Sequence, residues 1–266
     1  MIIYKTSQHG LNLLMIDTIS VLLREWTVIF LTGLAFWLWE IRSPLHQIEY
    51  KAKFFKELGW AGISFVFRIV YAYVSVAIIK LLSSLFMGES ANFAGVMYVP
   101  LWLRIITAYI LQDLTDYLLH RTMHSNQFLW LTHKWHHSTK QSWWLSGNKD
   151  SFTGGLLYTV TALWFPLLDI PSEVMSVVAV HQVIHNNWIH LNVKWNSWLG
   201  IIEWIYVTPR IHTLHHLDTG GRNLSSMFTF IDRLFGTYVF PENFDIEKSK
   251  NRLDDQSVTV KTILGF

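Results

Sequence analysis

The stretch Asp113-Leu114-Thr115-Asp116-Tyr117-Leu118-Leu119-His120-Arg121-Thr122-Met123-His124 decides how this chain is read. It closes an apolar run that begins near Val96, and it sets Asp113, Asp116, His120 and His124 at helical intervals of three and four. Side chains so spaced share one face of a helix. The run thus delivers two imidazoles, backed by two carboxylates, to the end of a helix long enough to cross a bilayer.

The pattern recurs downstream. His133-x-x-His136-His137 and His212-x-x-His215-His216 repeat the i, i+3, i+4 arrangement, so both triplets are expected on helices. These eight of the 13 histidines fall in three clusters separated by apolar segments. One isolated histidine near a membrane reads more simply as an interfacial aromatic. Three clusters with helical spacing read as metal ligands. His190 stands at the end of a later apolar run, with His185 and His181 deeper in it. At 1.5 Å per residue, His181 lies about 13 Å beyond His190. His190 and His185 are therefore counted with the ligands, and His181 reads equally as a hydrogen-bonded core residue. Asp113 suits a carboxylate that receives the second N–H of a ligating histidine. Asp116 reads also as a solvated or arginine-paired charge.

Composition sets the surroundings. Of 266 residues 51% are hydrophobic and 15% charged, against about 25% charged in ordinary soluble domains. With 14 tryptophans, this points to an integral membrane protein with aromatic side chains at headgroup level. A net charge of +2 gives nucleic acid no foothold, and zero cysteines exclude thiolate ligands, disulfides and cysteine nucleophiles. No cleavable leader is expected from residues 1–10.

Apolar runs at about 11–39 (interrupted at Arg24-Glu25), 60–87, 96–119, 156–168 and 174–189 predict an all-α membrane bundle of four to five segments, capped by a histidine-rich helical layer. Three regions follow: N-terminal membrane segments and connector at 1–95, a catalytic region at 96–240, and a polar tail at 241–266. The connector 42–57 and the cluster flanks (Arg121, Lys134, Lys140, Lys149, Arg210, Arg222, Arg233) are basic, whereas 88–95 and the hairpin tip at 169–173 lack Lys and Arg. The positive-inside rule then puts every histidine cluster on the cytoplasmic side of an inner or endoplasmic-reticulum membrane.

Eight to ten imidazoles exceed what one structural or hydrolytic zinc requires, and adjacent pairs such as His136-His137 do not suit bis-histidine haem. Two irons, each with four or five imidazoles and an open position, fit the count, although the ligand set alone also admits zinc.

These residues resemble the fatty acid hydroxylase (sterol desaturase-like) superfamily of membrane di-iron oxygenases. The resemblance covers about residues 101–238. It rests on the Asp113–His124 segment, on Trp130-Leu-Thr-His133-Lys-Trp-His136-His137-Ser138, and on Ile189-His190-Leu191-Asn192. It continues through Val207-Thr-Pro-Arg-Ile-His212-Thr-Leu-His215-His216, Asn223, and Ile231-Asp232-Arg-Leu-Phe-Gly-Thr-Tyr238. The chain departs from the family pattern at Ser146–Asp150, Leu224-Ser225 and Ile231, all outside the histidine boxes. The resemblance implies that the eight clustered histidines form the catalytic centre and that Asp113 and Asn223 belong to its cofactor site. It further implies two iron ions and O2 as co-substrate, hydroxylation or desaturation of a lipid (sterol, fatty acyl chain, carotenoid, alkyl ether or aldehyde), and a separate electron donor of cytochrome b5 or ferredoxin type. The competing expectations are a membrane metal-storage or transport protein and a zinc-stapled structural protein.

Overall fold

The computed structural model describes residues 8–82, 95–139, 141–194, 197–217, 221–241 and 258–266. The loop at 88–94, Lys140, Gly220 and most of the tail lie outside them. Within them the protein is helical, and the only strand-like pairings are two isolated bridges, Pro44 with Val193 and Tyr206 with Phe228.

Two long helices come first, α1 (Gln8–Arg42) and α2 (Tyr50–Leu82). At 1.5 Å per residue each is about 50 Å long, more than the roughly 30 Å hydrocarbon thickness of a bilayer. Among the described residues one segment is long and apolar enough by composition to cross a membrane, Tyr50–Ile78. The helix α3 (Leu101–Ser125) is set off from residues 96–98, a short 3-10 turn, by Pro100. Asn126 then ends α3 and caps α4 (Gln127–His133), its side chain accepting from the Phe128 and Leu129 amides at 2.9 and 3.1 Å.

The expected helix over 133–137 does not continue. After α4 the chain tightens, and His136–Ser138 form a 3-10 turn held by the Ser138 hydroxyl on the Trp135 carbonyl. The first hairpin run is likewise broken, into α5 (Phe152–Tyr158), a 3-10 turn at 161–163 and α6 (Trp164–Leu167). Here the hydroxyls of Thr159 and Thr161 bond carbonyls three residues back, and Pro166 offers no amide. The second run is one helix, α7 (Ser172–Ile189). A 3-10 stretch at 197–204 leads to α8 (Pro209–Leu217) and α9 (Thr229–Leu234). The end of the polar tail returns as α10 (Val260–Leu264), where the Gly265 carbonyl accepts the Thr153 hydroxyl at 3.0 Å.

Buried carboxylates tie the long helices to the cap. Glu40 on α1 accepts the amides of Trp144 and Asn192, both at 2.9 Å. Glu57 on α2 meets Lys149 at 2.8 Å with both side chains almost fully enclosed. Lys149, counted from sequence among the basic flanks, is therefore an internal cation. Around these ties Trp26 and Ile29 of α1 pack on Trp143, Trp144 and Leu191. Away from them, Leu31, Leu34, Leu38 and Ile41 of α1 and Val66, Val70 and Val76 of α2 lie exposed.

Candidate metal centre

Nine histidines converge. His120 and His124 come from the end of α3, His133 from the end of α4, and His136 and His137 from the following turn. His190 caps α7, and His212, His215 and His216 lie on α8. Their ring nitrogens form two groups, His120, His124, His133, His137 and His215 in one, His136, His190, His212 and His216 in the other. Within each group one nitrogen per residue lies within 4.8 Å of every other. Each triplet is divided the same way, its i and i+4 members going to one group and its i+3 member to the other: His133 and His137 against His136, and His212 and His216 against His215. In the first group, the Nε2 atoms of His120 and His124 are 3.2 Å apart, and His137 is 3.1 Å from both His133 and His215. In the second, His190 is 3.3 Å from His136 and 2.9 Å from His212, which is 3.0 Å from His216. Two nitrogens bound side by side at about 2.1 Å to one ion stand roughly 3 Å apart, so these spacings fit a metal at each centre.

The opposite ring nitrogens explain which lone pair faces inward. His120 Nδ1 lies 2.7 Å from the Leu224 carbonyl, His215 Nδ1 3.0 Å from that of Arg222, and His190 Nδ1 2.7 Å from that of Asn186. A carbonyl only accepts, so Nδ1 carries the proton in each ring and Nε2 presents its lone pair to the cluster. Burial, and then the neighbouring imidazoles, hold His120, His133, His137, His212 and His216 well below the usual histidine pKa. Burial likewise brings His190 down to about 4. At neutral pH these rings are uncharged, the form that binds a metal.

His185, counted from sequence with the ligands, stands outside both groups. Its Nε2, the nitrogen the others turn inward, instead meets the Ser226 carbonyl at 2.9 Å. His181 is held between two hydroxyls, Tyr109 at 3.1 Å and Tyr206 at 2.9 Å, as a core histidine would be.

Asp113 and Asn223, counted with the cofactor site, touch neither group. Asp113 accepts three successive amides, Ser226, Met227 and Phe228, at 3.0, 2.9 and 2.6 Å. Asp232 accepts those of Leu224 and Ser225 at 2.7 and 2.9 Å. Asn223, at φ 51°, exchanges hydrogen bonds with the Val239 backbone at 2.8 and 3.2 Å. Together they fix the segment 222–228, whose alternate carbonyls at 222, 224 and 226 receive His215, His120 and His185. The carboxylates thus act on the imidazoles through the backbone, one step further out than a direct Asp–His bond. Asp113→Asn would turn the NH2 donor of its carboxamide toward at least one buried backbone N–H and should lower stability by about 1–3 kcal/mol. Thermal unfolding, read beside bound metal, checks this: both should fall.

A cavity of about 500 Å3 opens onto both groups, reaching His120 and His133 of the first and His136, His190 and His212 of the second. Gly147 also lines it, and a Cβ there would stand 2.4 Å from His190 Nδ1. Gly147→Ala must push that ring off the Asn186 carbonyl. The expected result is metal affinity at the second group lowered about tenfold to a hundredfold, measured by competition with a chelator, with the first group unaffected.

Fold and site together define an all-helical protein whose two buried histidine groups are able to hold metal. The chain belongs to the fatty acid hydroxylase family, whose profile matches residues 105–237. It is similar to alkylglycerol monooxygenase of Xenopus tropicalis, 30% identical over 134 residues, which cover 48% of this chain and 28% of that protein. It is also similar to alkylglycerol monooxygenase of Danio rerio, 29% identical over 143 residues, covering 51% and 30%. The matched stretch thus spans under a third of either relative. No solved structure matches the chain.

Proposed function

We propose that this protein is an integral membrane oxygenase that uses two iron ions and O2 to hydroxylate a C–H bond of a lipid. The observation that carries the reading is the pair of histidine groups with inward Nε2 atoms, in which the Nδ1 protons of His120, His215 and His190 are tethered to carbonyls. His120, His124, His133, His137 and His215 would hold one ion, and His136, His190, His212 and His216 the other. When bound, such a pair supplies the activation of dioxygen for attack on an unactivated C–H bond. The chain's own contribution is position: the 222–228 segment fixes the rings, burial excludes water, and the cavity brings a substrate carbon against both groups.

Exposed leucines, isoleucines and valines along α1 and α2 support a bilayer setting, since soluble surfaces rarely carry such continuous apolar faces. We read the bundle as four to five membrane segments with the histidine layer on the cytoplasmic side, where the basic connector lies. Electrons come from a separate redox partner. The relatives' name makes ether-linked glycerol lipids the first substrates to try.

The test is lipid mass spectrometry on a lipid-rich host expressing the wild type or a His136→Ala/His137→Ala variant. A product one oxygen heavier, seen with the wild type alone, is expected. Identical lipid profiles, or purified protein that exchanges metal freely without consuming oxygen, would overturn the reading in favour of metal storage or transport.

A further inference from the structure

Behind the histidines the cavity carries two facing polar rows. On α3, Gln112, Asp116 and His120 recur every four residues. On α7, Gln182, Asn186 and His190 do the same, and all six line the cavity. Residues four apart lie on one helical face about 6 Å apart along the axis, so each row steps away from the metal groups by the same rise. The two helices meet at the far end of the rows, where Gln182 Nε2 donates to Gln112 Oε1 and Ala108 packs with Val178. Asn186 is oriented by its bond to the Gly147 carbonyl at 3.1 Å. Asp116 is half-buried beside Thr161, one turn from His120. An ionisable side chain within a membrane helix is costly, and where it lines a cavity it marks a substrate path. A cavity meant for a bare methylene chain would show apolar side chains at these positions.

The charges narrow what fits. Among the described lining residues Arg68 is the sole Lys or Arg, and its Nη2 already lies 3.7 Å from Asp150 Oδ2. Asp113 is occupied by three backbone amides. A carboxylate or phosphate head group seated at this end would therefore meet Asp116 and Asp150 with no cationic side chain beyond Arg68 to answer it, whereas a hydroxyl can donate to Asp116 and pair with either glutamine.

We infer that Asp116, with Gln112 and Gln182, anchors an uncharged hydroxyl-bearing head group inside the cavity, so that oxidation falls on carbons a few bonds from that polar end. Asp116 is a specificity-determining residue in this assignment, which rests on the lipid-oxidising reading above. An amphiphile enters head first, and the first carbons of its chain lie against the histidine groups.

The test is equilibrium binding to the purified, iron-loaded, full-length protein, followed by tryptophan fluorescence. The probes are a hexadecyl glycerol ether and its doubly methylated form, which lacks both hydroxyl donors. The wild type should prefer the diol by about tenfold or more, the size of a lost hydrogen bond to a carboxylate. Asp116→Leu, and independently Gln182→Leu, should each reduce the preference to threefold or less, while Asp116→Asn, which keeps one acceptor, should retain part of it. Iron content should stay at the wild-type level throughout. Equal affinity of the wild type for both probes overturns the anchor, as does an undiminished preference in Gln182→Leu or an equal loss for both probes. Oxygen consumption is scored separately. Selective binding without oxidation sinks the oxidising reading and leaves the anchor standing; oxidation of both probes with equal efficiency does the reverse.

Discussion

Replacing His215 or His136 with alanine is expected to abolish lipid oxidation, with a different metal balance in each case. His136 belongs to a group of four, so its loss leaves three imidazoles, about the number at an open, exchangeable site. His215 belongs to a group of five and leaves four behind. His136→Ala should therefore bring iron toward one ion per chain, while His215→Ala keeps more metal and still loses turnover. The two groups stand face to face, with the His137 and His216 ring centroids 4.4 Å apart and His133 and His136 at 5.1 Å. Ligands acting as one unit give losses that do not add, so the double variant should be no worse in activity than either single. Iron analysis beside oxygen consumption measures both effects. A single variant with full iron and wild-type turnover would sink the assignment.

The second large effect is on stability. Lys149 Nζ lies 2.8 Å from Glu57 Oε1 and 2.6 Å from the Thr139 hydroxyl, and Lys149 and Glu57 are each 1% exposed. Removing one partner strands the other's charge in the interior, at about 3–5 kcal/mol. Glu57→Ala should thus lower the unfolding midpoint in detergent by on the order of ten degrees. Replacing both residues with apolar ones of similar size, Glu57→Leu with Lys149→Met, should recover most of the loss, because no charge is then left buried. A double variant as unstable as Glu57→Ala would show that packing, not charge, dominates there.

Much of the site is legible in the sequence because helical spacing is a strong geometric statement. His120 and His124 on α3, and His212, His215 and His216 on α8, lie on helices as the intervals require. His190 separates from His181 as helical rise dictates. What spacing did not carry is tertiary. The same i, i+3, i+4 interval at His133–His137 is met by a helix end and a tightened turn, and neither triplet's spacing tells that its i+3 member joins a different group from the other two. His185 sits a plausible distance from His190, yet a carbonyl 41 residues further on takes its Nε2. Asp113 was expected to hold an imidazole; its partners are three amides more than a hundred residues away, which no local pattern encodes. Lys149 looks like a surface cation because its partner, Glu57, lies in another helix. In the first hairpin run, hydropathy registered burial but not the threonines and proline that break the helix.

The bond from His120 to the Leu224 carbonyl joins residues 104 apart in the chain, and His215 meets His137 across 78. Neither group has its full set of nitrogens until α8 has docked against the ends of α3 and α4. Closing such long loops is the slow, entropically opposed part of folding. The second group, which draws His212 and His216 from α8, would therefore fill last, as a latch on a finished topology rather than a seed for it. A chain interrupted before residue 212 would carry four of the first group's five imidazoles but two of the second group's four, so metal retained at the second group would report that the whole cap has assembled.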